Sequence, residues 1–216
     1  MALFQSPNIV TDNLVFCVDA ANTKSYSGSG TSWKDISGKG NDGTLTNGPT
    51  FSNDNGGSIV FDGSNDYTEL TFNTEFDNIS IEAWAIRDTL DGFLSIFGKY
   101  GSGSDTGYEL LFNDSAGVRL HTSSDSIDST GSLITGVWYH IVGTYDGTTS
   151  KIYINSSLNA SGAKSHNSNS QNWRIGLSRW GGNYYNGNIS IVKLYNKALT
   201  AAEVLQNYNA YKGRYV

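Results

Sequence analysis

A glycoside-cleaving site needs two carboxylates facing each other across the scissile bond. They stand roughly 5–5.5 Å apart for a retaining reaction and roughly 6.5–9.5 Å for an inverting one. On a β-strand, a Glu-x-Asp or Glu-x-x-x-Glu spacing puts both on one face. The chain has five glutamates, Glu69, Glu75, Glu82, Glu109 and Glu203, and none is read as half of a strand-borne catalytic pair. Glu203 is accounted for as a helix cap. Cys17 lies in the apolar run Leu14-Val15-Phe16-Cys17-Val18 and reads as a buried packing residue rather than a nucleophile. His140 has neither Cys17 nor another histidine at metal-ligand spacing, so it reads as a strand histidine held in place. No catalytic residue is assigned, and the chain is expected not to be an enzyme.

Two other groupings suit binding. Arg179-Trp180-Gly181-Gly182-Asn183-Tyr184-Tyr185 combines aromatic faces that stack on sugar rings with hydrogen-bonding groups at Arg179 and Asn183. Tyr100 and Asp105, in a second Gly/Ser-rich loop, are candidate additions to that ligand site. The alternative is that these aromatics pack a rim or a partner subunit. In Asp62-Gly63-Ser64-Asn65-Asp66, oxygen-bearing side chains crowd into five residues, a grouping that suits Ca²⁺ and equally suits an Asp-Gly turn whose carboxylates cap backbone N–H groups.

The elements that must position these residues are strands. The 216 residues include 25 Gly, 13 Tyr, 5 Trp and only 2 Pro, a composition that favours many short strands joined by tight turns. The clearest is the hairpin WYHIVGTYDGTTSKIYIN, residues 138–155, turning at Asp146-Gly147. Its first arm carries bulk on both faces, as a central strand does. Further strands are expected at Leu14–Val18, Ser58–Phe61, Tyr67–Phe72, Ile79–Ile86, Phe93–Lys99, Tyr108–Asn113, Gly117–Thr122, Trp173–Leu177 and Gly187–Tyr195, with residues 160–172 as a loop. One helix opens at Thr200, marked by a capping box with Glu203 and a staple between Leu199 and Val204; Val204, Leu205 and Tyr208 make its apolar stripe. Residues 1–13 are an arm, 14–210 the domain and 211–216 a tail.

WKDISGKGNDGTL, SIVFDGSNDYTEL, ISIEAWAI, the hairpin and YYNGNISIVKLYNKALTAAEV resemble, in order and spacing, the laminin-G-like, concanavalin A-like lectin/glucanase superfamily, from about Leu14 to Tyr208. The resemblance implies an all-β, two-sheet antiparallel jelly-roll sandwich with one short C-terminal helix. It further implies a concave face or loop rim that binds sugars, and one calcium ion, for which Asp62 and Asp66, with Asp19 as a third ligand, are the positions to watch. The superfamily's glucanase run, Glu-x-Asp-x-x-Glu, is absent. The opening DAANTKSYSGSGTSWKDISGKGNDGT and the closing ALTAAEVLQNYNAYKGRY also resemble structural proteins of tailed phages.

The leading expectation is therefore a virion component used in decoration, tail or host attachment, with other virion proteins, and a second copy of the chain, as candidate partners. The alternative is a carbohydrate-binding module for cell-surface glycans. A net charge of −6 with scattered basic residues argues against nucleic acid. No stretch has transmembrane length, and MALFQSPNIV lacks the basic and apolar regions of a signal peptide, which suits assembly in a host cytoplasm.

Overall fold

Sixteen strands and one α-helix follow one another in a computed structural model that describes residues 8–99, 101, 106–123, 125–178 and 182–216. The strands are β1 (Leu14–Asp19), β2 (Ser32–Trp33), β3 (Gly43–Thr46), β4 (Thr50–Ser52), β5 (Ser58–Asp62), β6 (Tyr67–Leu70), β7 (Ile79–Arg87) and β8 (Leu94–Gly98). They continue with β9 (Glu109–Phe112), β10 (Val118–His121), β11 (Ser126–Asp128), β12 (Tyr139–Tyr145), β13 (Thr149–Ile154), β14 (Ser157–Ala163), β15 (Arg174–Ile175) and β16 (Asn186–Tyr195), and helix α1 spans Ala201–Tyr211. Two eight-stranded antiparallel sheets result. Sheet A runs β14-β13-β12-β7-β16-β5-β4, with β1 also pairing β16; sheet B runs β11-β10-β9-β8-β15-β6-β3-β2.

The β12–β13 hairpin turns where expected. Asp146 Oδ1 accepts the N–H groups of Thr148 (3.0 Å) and Thr149 (2.8 Å), and Gly147 takes φ 93°, a conformation that costs glycine nothing. β12 is indeed central, between β7 and β13. One departure is β14, which occupies part of the stretch read as loop. SLNASGA has little alternation of its own and becomes a strand by pairing with β13.

Alternation sends one face of each sheet into a shared core that includes Trp33, Phe61, Ile81, Phe97, Tyr108, Leu110, Phe112, Trp173 and Tyr185. A second, smaller core lies on the outer face of sheet A, where Cys17, Val142, Tyr153 and Tyr195 meet Val10, Leu199 and Val204. Cys17 is thus buried packing, as read. Helix α1 covers this part of the face. Its Thr200–Glu203 capping box forms, but its buried positions are Val204 and Asn207, while Leu205 is 46 % exposed. The tail folds back as well: Arg214 Nη1 contacts Asp19 at 3.0 Å and the Tyr215 ring lies 4.2 Å from that of Trp84. No helix among the described residues is long and apolar enough to cross a membrane.

Candidate functional site

The outer face of sheet B is built differently. Directly paired residues point to the same side of a sheet, and the register aligns Ser126, His121, Glu109, Gly98, Arg174, Glu69 and Thr44 in one row. Leu110, Leu120, Ile175 and Leu70, one position along, point into the core, so the row faces outward. Its members are polar or charged apart from Gly98, and among the described residues no helix packs on it.

Arg174 and Glu69 form an ion pair at 2.6 Å, the guanidinium lies 5.1 Å above the Tyr67 ring, and Asn172 Nδ2 donates to Glu69 Oε1 at 3.4 Å. Further along the same face, Arg119 binds Asp128 through two nitrogens (2.7 and 2.8 Å) beneath the half-buried Phe93. Such bidentate geometry holds both side chains rigidly.

Glu109 is the buried centre of the row, 2 % exposed. Ser95 Oγ donates to it at 2.7 Å and the Ser178 hydroxyl also bonds it. Burial pushes its carboxyl up to about 7, because two hydroxyls do not replace the lost hydration. Ser178 belongs to the loop between β15 and β16, closed by Ser178 N–H to Asn183 O (3.0 Å), Tyr185 N–H to Gly176 O (2.9 Å) and a Leu177–Tyr184 bridge. Ser178, at the described start of this loop, therefore ties it to Glu109.

Of the residues read as ligand-binding, Arg179, Trp180, Tyr100 and Asp105 lie outside the described residues. Asn183 and Tyr184 sit half-exposed in the loop. Tyr185 is a correction. It is fully buried, its hydroxyl donates to Ile86 O at 2.8 Å, and its ring meets Phe61 edge-on at 5.9 Å. It shares strand parity with Ile189, which turns it inward. Tyr67, Glu69, Arg174 and Glu109 went unread as site residues; alternation marks which way they point, but only the register brings them together.

The three aspartates considered for calcium do not converge. Asp62 Oδ1 accepts the N–H groups of Ser64 (2.8 Å) and Asn65 (3.4 Å), and Asp66 Oδ2 accepts that of Asp62 at 3.2 Å. They brace an Asp-Gly turn. Asp19 pairs Ile191 on β16, whereas Asp62 pairs Asn186, a separation of about 16 Å at ~3.3 Å per residue, and Arg214 binds Asp19. Among the described residues no group of three or more His, Cys, Asp or Glu side chains is arranged to hold a metal ion, and these residues do not fit one.

No glycosidase-type pair lies on the row. Glu69 and Glu109 are three strand spacings apart, about 14 Å at ~4.8 Å per strand. The one Glu-x-Asp spacing, Glu75-Phe76-Asp77, precedes β7 in irregular chain, and Glu75 is taken by Lys99 (2.5 Å) and His166 (2.8 Å). Glu82 is sealed under α1. There Glu82 accepts from Lys193 Nζ (2.7 Å) and Asn207 Nδ2 (2.6 Å) and faces His140 Nε2 at 3.1 Å, all four residues fully buried. His140 is therefore a packed strand histidine.

Residues 61–205 match the family model described as the concanavalin A-like lectin/glucanases superfamily. No curated protein sequence matches the chain significantly. Among solved structures, the binding domain of Paraclostridial Mosquitocidal Protein 1 aligns with TM-score 0.71 and 19 % identity, over 93 % of this chain and 53 % of that one. Domain 4 of AbnA, a GH43 extracellular arabinanase from Geobacillus stearothermophilus solved with arabinotriose, gives 0.69 and 18 %, over 91 % and 98 %. Trypanosoma rangeli sialidase gives 0.68 and 16 %, over 94 % of this chain and 34 % of the enzyme, so the chain spans about a third of that protein. At these identities the likeness is one of fold.

Proposed function

Because the chain belongs to the concanavalin A-like lectin/glucanase superfamily, we propose that it is a non-catalytic carbohydrate-binding module whose ligand surface is the outer face of sheet B. The carrying observation is the contrast between the two outer faces: that of sheet A is largely closed by α1 and the chain termini, while that of sheet B presents an aligned row of polar and charged side chains. Arg174 and Asn172 supply donors, and Glu69 and Thr44 supply acceptors. Fixed donors and acceptors of this kind orient a saccharide through its hydroxyls. The wide separation of Glu69 and Glu109 favours binding over hydrolysis. Domain 4 of the arabinanase, of matching length and solved with arabinotriose, supports the same reading. The virion reading draws no support from the comparisons and yields to this one.

The test is a glycan array followed by calorimetry, comparing the wild-type chain with Arg174→Ala at equal thermal stability. Retention of an oligosaccharide by the wild type, at least tenfold weakened in the variant, is expected. An array with no retained glycan, or an affinity untouched by Arg174→Ala, refutes the assignment.

A further inference from the structure

Sheet A is not closed over its whole outer face. Helix α1 and the returning tail cover Glu82 and Trp84 on β7, but not Ile86, the next residue of the same parity. Ile86 pairs Asn188 on β16, and Asn188 pairs Val60 on β5. The Tyr139–Ala85 pair, extended by one residue, brings Trp138 opposite Ile86. A depression of about 320 Å³ opens here, lined by Asp54, Asn55, Ile86, Gly136, Trp138 and Asn188. That volume lies within the range of small-ligand sites.

Trp138 is half-buried and belongs to neither core cluster. Its ring is nonetheless fixed. Nε1–H donates to Asn55 Oδ1 at 3.0 Å, and the ring lies 4.9 Å from that of Tyr215 at 45°. Asn55 is itself clamped: Nδ2 donates to Arg214 O at 2.7 Å, its own carbonyl accepts Arg214 Nε at 3.2 Å, and its backbone sits at φ 53°, ψ 30°. A left-handed non-glycine residue held by three hydrogen bonds is preorganised rather than loose.

The hydrogen bonds of the lining residues leave acceptors over. Asp54 Oδ2 accepts from Ser52 Oγ (3.1 Å) and Asn188 Nδ2 donates to Ser58 Oγ (3.0 Å). The second carboxylate oxygen of Asp54 and the amide oxygen of Asn188 stay available. An indole face is electron-rich and attracts the C–H face of a pyranose or furanose ring, while carboxylate and amide oxygens accept its hydroxyl protons. Asp54 carries the only charge among the lining side chains, and it repels anionic groups.

We propose that this depression is a second saccharide site, on the opposite sheet from the first, and that it selects neutral sugars over sialylated or uronic ones. Trp138 is its platform, and Asp54 and Asn188 are its acceptors. Two sites on opposite faces make a single module able to bridge two chains of a polysaccharide or two points on a cell surface, with a gain in avidity.

An array of neutral and sialylated oligosaccharides separates the two sites. The probes are the wild-type chain, Trp138→Ala, Asp54→Lys and Arg174→Ala, each checked for unchanged melting. Neutral glycans weakened at least tenfold by both Trp138→Ala and Asp54→Lys, yet held within twofold by Arg174→Ala, are the expected result. Should Trp138→Ala fail to fold, Asp54→Lys, at an exposed position, and Asn188→Asp, which keeps the size of a half-buried side chain, carry the comparison. The proposal is overturned if no neutral glycan is weakened at both positions, including the case in which the wild type retains none. Losses confined to Arg174→Ala uphold the sheet B surface while overturning the second site.

Discussion

Replacing Lys193 by methionine keeps the aliphatic volume of the side chain and removes the charge that Glu82 requires. Both groups are fully buried and 2.7 Å apart. Burial by itself would raise the Glu82 carboxyl; the Lys193 charge and the His140 bond outweigh it and hold the group at about 2, against its ordinary 4.5. A depression of that size corresponds to about 3 kcal/mol at ~1.4 kcal/mol per pH unit. Stranding one partner of a buried pair costs about 3–5 kcal/mol. Lys193→Met is therefore expected to lose about 3–5 kcal/mol at pH 7.5, a fall in Tm of about 10 °C for a chain this size, read by urea titration and calorimetry. The sign of the pH dependence follows from the lowered value. In the wild type the contribution of Glu82 is fully present above 4.5 and is lost as pH falls toward about 2. In the variant the unpaired carboxylate takes up a proton readily, so the gap between the two proteins narrows on acidification. Glu82→Gln with Lys193→Met removes both charges, keeps an acceptor for Asn207, and should restore most of the loss. A single variant within 1 kcal/mol of wild type, or a double variant no more stable than the single, refutes the argument.

Glu109 carries the opposite sign. Its carboxyl is raised from 4.5 to about 7 by burial, so its stabilising contribution is complete below 4.5 and disappears as pH rises through 7. Glu109→Gln should be more stable than wild type by about 3 kcal/mol at pH 8 and equal to it below pH 4.5; a difference that does not vary with pH in a series of melting curves counts against this. Two glycine substitutions rank by what yields. A Cβ on Gly98 would lie 2.6 Å from Tyr108 O and 2.8 Å from Glu109 Cα, backbone of the adjoining strand, and Gly98→Ala should cost about 3 kcal/mol. On Gly143 it would meet the Leu120 and Leu110 methyls at 2.8 and 3.2 Å, which can rotate away, and Gly143→Ala should cost about 1 kcal/mol. Equal or reversed losses in urea titration would show that the strand backbone gives more readily than the side chains.

Local chemistry made much of the fold legible. Asp146-Gly147 set the hairpin, Thr200 and Glu203 set the start of α1, and the alternation in ISIEAWAI set a strand. Features that depend on partners distant in the chain were not legible. Lys193 and Asn207 meet Glu82 across 111 and 125 residues, and nothing local to Asn207 announces that it is the buried polar contact of its helix. β14 owes its conformation to β13. Asp62 and Asp66 were ambiguous because a turn brace and a cation loop ask for the same oxygens at the same spacing; the turn bonds to Ser64, Asn65 and Asp62 N–H are what the structure shows of them. Tyr185 was legible and misread: grouped with the loop aromatics, it has the parity of Gly187 and Ile189, which directs it inward.

With likeness to solved structures establishing fold alone, function has to be argued from what the sandwich leaves open. Two sheets present four faces, and two of them make the shared core. Sheet A gives most of its outer face to α1, drawn down by Asn207, Leu199 and Val204 and closed at the far end by Arg214 and Tyr215. This closure, together with the hydrogen bond to Asn55, leaves Trp138 fixed at the edge of the cover. Sheet B gives its outer face to polar and charged side chains, among them the ion pairs of Arg174 with Glu69 and of Arg119 with Asp128. A helix and a tail on most of one outer face, and charged side chains on the other, are why the proposed main binding surface lies on sheet B and the proposed second site lies only at the uncovered edge of sheet A.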